Sequence, residues 1–96
     1  MKRNHSIIQT EKKSYLSGRT DSLEAHESLK GSSDRQIAIR EGLWIWVTAD
    51  EHRWLHRTEE GQKRDYEICA EQQRIWLEHT GKSREDWYRL FYKFYD

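Results

Sequence analysis

The stretch "GLWIWVTADEHRWLH", residues 42 to 56, sets His52 and His56 four positions apart, just behind a run of large apolar side chains. Side chains at i and i+4 of a helix stand on one side, so two imidazoles at this spacing can converge on one ion. A third imidazole, His26 in "LEAHESL", lies upstream on a segment expected to belong to a β-hairpin. Packing hairpin, strand and helix together would bring it to the other two. Three neutral imidazoles leave positions open on a divalent ion, as catalytic metal sites require and closed structural sites do not allow. The alternative for such a pair is two surface residues on an ordinary helix.

The elements that would position these residues can be read along the chain. Residues 1 to about 12 are polar and aperiodic. "SYLSGRTDSLEAHESLKGSSDR" carries turn signals at Gly18 and "KGSS" and reads as an irregular β-hairpin. "DRQIAIREG" is a short helix candidate ending at Gly42. "LWIWVT" alternates as a strand, with Leu43, Ile45 and Val47 on one face and Trp44, Trp46 and Thr48 on the other. Thr48 and Glu51 fit a capping box, so His52 and His56 should ride on a helix. From Gly61, the residues Tyr66, Cys69, Ala70, Gln73, Trp76 and Leu77 recur at helical spacing up to Gly81, a stripe that reads as core. Ser83 and Asp86 open a last helix with its stripe at Trp87, Leu90, Phe91 and Phe94.

Ninety-six residues, a third of them apolar, allow one small domain, and five Trp with five Tyr point to an aromatic-rich core. A formal net charge of zero argues against coating nucleic acid or an anionic membrane through bulk charge. Locally, Lys2, Arg3, Lys12, Lys13 and Arg19 face only Glu11, so residues 1–12 read as a basic flexible arm, either set against phosphates or solvated. The single cysteine, Cys69, excludes an internal disulfide and a Cys-rich zinc finger. No apolar run reaches the length of a spanning helix, and the expectation is an intracellular, cytoplasmic protein without a membrane partner.

The stretch "SYLSGRTDSLEAHESLKGSSDRQIAIREGLWIWVTADEHRWLH", with "QQRIWLEHTGKSREDWYRLFYKFYD" downstream, resembles the HNH, or ββα-metal, nuclease superfamily, in particular its small phage-type members. The likeness covers residues 14 to 95, in the order Gly-Arg-Thr, a His-bearing strand, a Gly-rich turn, a strand and a His-bearing helix. It implies an α+β fold: a small ββα-metal-like core followed by two amphipathic helices over about 60–96, with residues 13–96 as one domain. "VTADEHRWLH" is also similar to the colicin-type DNase helix, whose two His at i and i+4 are metal ligands.

Carried over residue by residue, the resemblance makes His26, His52 and His56 ligands of a divalent ion (Mg, Mn, Ni or Zn). Glu27 falls where the family usually has its general-base histidine. A carboxylate, with an ordinary pKa near about 4.3, is a weaker base at neutral pH. In a register shifted by one, His26 is the base and Ala25 takes a ligand position. Ser14 and Ser17 stand where many relatives have a zinc-binding Cys pair, leaving Tyr15 and the tryptophans to hold that segment by packing. Arg35, retained after the turn, either contacts a phosphate or is a surface ion-pair partner. Arg53 and Arg57 either position phosphates or pair with Asp50, Glu59 or Glu60. His5 and His79 have structural or incidental roles.

The implied activity is metal-dependent hydrolysis or nicking of DNA phosphodiesters, with Glu27 or His26 activating water. The alternative is a catalytically degenerate binding or regulatory protein on the same scaffold, meeting a protein partner through Trp54, Tyr88, Tyr92 and Tyr95. A DNA-binding module that uses the basic arm and needs no metal is a third reading.

Overall fold

The computed structural model describes residues 4–96. It is an α+β fold with the order β1 (Leu23–His26), α1 (Ser32–Glu41), β2 (Ile45–Thr48), α2 (Ala49–Arg57), α3 (Glu59–Thr80) and α4 (Arg84–Phe91). The two strands pair antiparallel, with Leu23 opposite Thr48, Glu24 opposite Val47, Ala25 opposite Trp46 and His26 opposite Ile45.

The hairpin thus differs from the one expected from the turn signals. Leu23–His26 takes its partner from β2, and α1 is inserted between the two strands. Residues 14–22 form turns instead, closed by Ser14 N–H to Arg19 O at 2.7 Å and Gly18 N–H to Ser14 O at 2.8 Å. Burial explains the choice. Ile45 and Val47 are fully buried, and pairing them with His26 and Glu24 puts all four side chains on the face that receives the helices. Leu29, also fully buried, draws the chain inward after β1.

One cluster of buried side chains joins Ile45 and Val47 to Leu55 of α2 and Ile68 of α3. The larger one gathers Leu29, Ala38, Leu43, Cys69, Trp76, Trp87, Phe91 and Tyr95. Buried indoles keep a partner for their N–H, Trp76 at Glu41 Oε1 (3.0 Å) and Trp87 at Lys93 O (2.9 Å). Tyr95, expected among exposed contact aromatics, is buried in this core, because Gln73 Oε1 accepts its backbone N–H at 2.8 Å and folds the last residues back onto α3. Phe94, expected on the buried stripe of α4, lies beyond that helix and is exposed. The left-handed cap at Tyr92 (φ 55°) ends the helical repeat before it.

The reading of residues 1–12 as a flexible arm is corrected for residues 4–9. Ser6 Oγ donates to Trp44 O (2.7 Å), Ile7 N–H to Gly42 O (2.9 Å), and Gln9 Oε1 accepts from Trp46 N–H (2.8 Å). Ile7 and Ile8 pack against the buried clusters and join these hydrogen bonds in holding the polar stretch to the domain. Lys2 and Arg3 lie outside the described residues.

Ser14 and Ser17 are tied to the core by hydrogen bonds. Ser14 Oγ donates to Glu51 Oε1 at 2.5 Å, and the same carboxylate accepts Thr48 N–H at 2.8 Å, so the capping box of α2 also anchors the preceding turn. Nearby, Tyr15 OH donates to Glu71 Oε1 at 2.6 Å. Its phenol is pushed up to about 12, first by burial and then by that carboxylate.

Candidate metal centre

His26 reaches the site because β1 alternates. Glu24 and His26 share one face, and α2 lies across it. The capping box fixes where α2 starts, and buried Leu55 fixes its rotation. His52 and His56 are then one turn apart and turned toward β1, with ring centroids 4.9 Å (His26–His52), 5.3 Å (His26–His56) and 4.8 Å (His52–His56) apart. One ring nitrogen from each lies within 4.8 Å of the others. Around a tetrahedral zinc such nitrogens stand about 3.4 Å apart, so closing on an ion takes shifts of about an ångström, within the range of small χ rotations. His26 is buried, His52 half-buried and His56 exposed, so the cluster opens to solvent on one side.

Two of the rings are held from behind. His26 Nε2 meets Asp65 Oδ1 at 2.8 Å, with both side chains buried, and His52 Nδ1 meets Glu24 Oε1 at 2.7 Å. A carboxylate behind an imidazole is the usual support of a metal-bound histidine. With these nitrogens engaged, Nδ1 of His26 and Nε2 of His52 are the ones left for an ion. Burial lowers the pKa of His56 from its ordinary value, His26, His52 and Lys30 add to that, and Asp65 opposes. The neutral form, which ligates metals, is thereby favoured. The donor set fits a borderline divalent ion such as zinc or nickel better than magnesium, which prefers an all-oxygen shell.

The cluster forms one wall of a cleft of about 330 Å³ whose other walls include Glu27, Lys30, Gly31 and Arg35. Glu27 is buried beside His26, and its Oε1 accepts from Arg35 Nε at 2.9 Å. Arg35 is therefore an ion-pair partner that also lines the cleft. Lys30 Nζ lies 3.3 Å from Asp65 Oδ2. The first turn of α1 opens on the same cleft, with Gly31 as its cap and no side-chain capping bond. Arg53 is paired with Asp50 on α2, and neither Arg53 nor Arg57 lines the cleft.

Sequence reasoning passed over Glu24, Lys30 and Asp65. The period of β1 places Glu24 beside His26, a signal that was available. Asp65 had a weaker one: it sits one position before the apolar stripe of α3, where a carboxylate facing inward needs a partner.

Comparison of the chain with family models, curated proteins and solved structures returned no match.

Proposed function

We propose that this protein is a divalent-metal-dependent phosphodiesterase acting on DNA, an HNH-like nuclease or nickase. The observation that carries the reading is the gathering of His26, His52 and His56 within 4.8 Å, with carboxylates behind two of them. His26, His52 and His56 would hold a divalent ion, which would supply positive charge beside the phosphate. Lys30, Arg35 and the free N–H groups of the first turn of α1 make the rest of the cleft a site for an anion. Glu27 is the base. In the free protein Arg35 Nε donates to one of its oxygens; an arriving phosphate competes for that guanidinium, and Glu27 takes a proton from water.

Titration calorimetry with zinc, nickel, manganese and magnesium should give binding to wild type that His56→Ala loses. Nicking of supercoiled plasmid should depend on the bound ion and disappear in His26→Ala and Glu27→Gln. Flat titrations with all four ions would overturn the metal centre, and intact plasmid across them would overturn the hydrolytic role.

One observation favours the catalytically silent alternative. Tyr88, Tyr92 and Phe94 are exposed together at the end of α4, with Tyr88 5.9 Å from Tyr92 and 5.4 Å from Phe94 between ring centroids. Exposed aromatics of this kind are enriched where proteins meet. Metal binding without nicking would select that reading.

A further inference from the structure

We infer that Asp65 of α3 is a positioning residue of the metal centre, fixing the ring of His26 so that Nδ1 is presented to the ion. This rests on the metal-centre reading above and extends it to a helix outside the β1–β2–α2 unit.

An ionised carboxylate only accepts hydrogen bonds, so Nε2 of His26 carries the proton that Asp65 Oδ1 receives at 2.8 Å. A neutral ring with its proton on Nε2 has its lone pair on Nδ1. Both side chains are buried, which denies Asp65 the water that would otherwise compete for this bond.

Fold stability alone gives little reason for a carboxylate here. Asp65 lies between buried Gly61 and fully buried Ile68 on α3, which packs against α2. Apolar side chains of similar size at both positions of the buried His26–Asp65 pair would fill this place without the cost of burying a charge. What Asp65 provides and an apolar residue does not is a directional acceptor for His26. Lys30, half exposed and 3.3 Å from the second oxygen, offsets its charge from the solvent side. Removing such an outer carboxylate typically weakens metal binding about 10–100-fold.

Two measurements on the full chain test this. Long-range ¹H–¹⁵N spectra of the metal-free protein should show His26 protonated at Nε2 and bare at Nδ1. A proton on Nδ1 overturns the inference. Nickel titration should show Asp65→Leu binding about 10–100-fold more weakly than wild type. Where Asp65→Leu does not fold, Asp65→Asn, checked by melting, serves instead: its amide carbonyl is a poorer acceptor, and a loss of about tenfold is expected. Equal nickel affinity in wild type and a folded variant overturns the inference alone, whereas a wild type that takes no nickel overturns the metal-centre reading and this inference with it.

Discussion

Replacing Gly61 with alanine should destabilise the fold and loosen the metal centre together. Gly61 lies in the first turn of α3, where Thr58 ends α2 and starts α3 within a single extended residue (φ −114°, ψ 153°). Thr58 Oγ1 donates to Trp54 O at 2.8 Å and accepts Gly61 N–H at 2.9 Å, so the corner is drawn tight. A Cβ on Gly61 would stand 1.9 Å from Trp54 O, 2.6 Å from Trp54 C and 2.7 Å from Thr58 Oγ1. The obstacle is backbone, and rotating a side chain does not clear it. Alanine gains about 1 kcal/mol over glycine in a helix interior. Overpacking costs about 1–3 kcal/mol, and a backbone obstacle argues for the upper end. The net loss is then about 2 kcal/mol, or roughly 8–16 °C in melting temperature for a domain of this size. Because α2 must move away from α3, His52 and His56 shift relative to the His26–Asp65 pair, and nickel affinity should fall as well. Calorimetric melting of wild type and Gly61→Ala, with Gly81→Ala alongside, reads the effect. A Cβ at Gly81 meets nothing within 4 Å, so that control carries only the left-handed penalty of its φ of 68°, about 1 kcal/mol. A Gly61→Ala protein that melts at or above wild type would show that the α2–α3 corner has room for a Cβ.

Glu51→Ala should lose about 1–2 kcal/mol in urea unfolding, since it removes the carboxylate half of the capping box and the anchor of Ser14 together, while Thr48 keeps its bond from the backbone N–H of residue 51. Burial works to raise Glu51, but the hydrogen bonds from Ser14, Ser17 and Thr48 prevail and lower it. The stability it contributes is therefore present above the ordinary carboxylate value and is lost as pH falls through the folded-state value. Wild type should lose more stability than Glu51→Ala between pH 6 and pH 3, the span in which ordinary carboxylates titrate, at about 4. Cys69 is buried, and burial pushes its thiol up to about 12, with Asp65 adding to the rise. At pH 8 a disulfide reagent should leave it unmodified in the native state and label it rapidly in urea, and fast native labelling would contradict the packing of α3.

What the sequence made legible was local. The i, i+4 spacing of His52 and His56, the Thr48–Glu51 and Ser83–Asp86 capping boxes, and glycines at the ends of α1 and α3 are statements about neighbours within one turn, and each appears as expected. The pairing of β1 was hidden because its partner lies beyond a whole helix, and turn residues at 18 and 31–33 pointed to nearer strands. Asp65 was hidden for the same reason: its bond to His26 spans 39 positions, and nothing about an aspartate in a polar helix says which imidazole it will meet. Residues 4–9 misled through composition, since Ser6 and Gln9 bind the backbone of Trp44 and Trp46 by side-chain hydrogen bonds that leave no periodic trace.

Anomalous diffraction at the nickel or zinc edge, from crystals soaked in the corresponding ion, locates the metal directly. One strong peak is expected within coordination distance of His26, His52 and His56, on the Nδ1 side of His26. A fully soaked crystal with no density there, or with the metal on His5 or His79 instead, would contradict the metal centre.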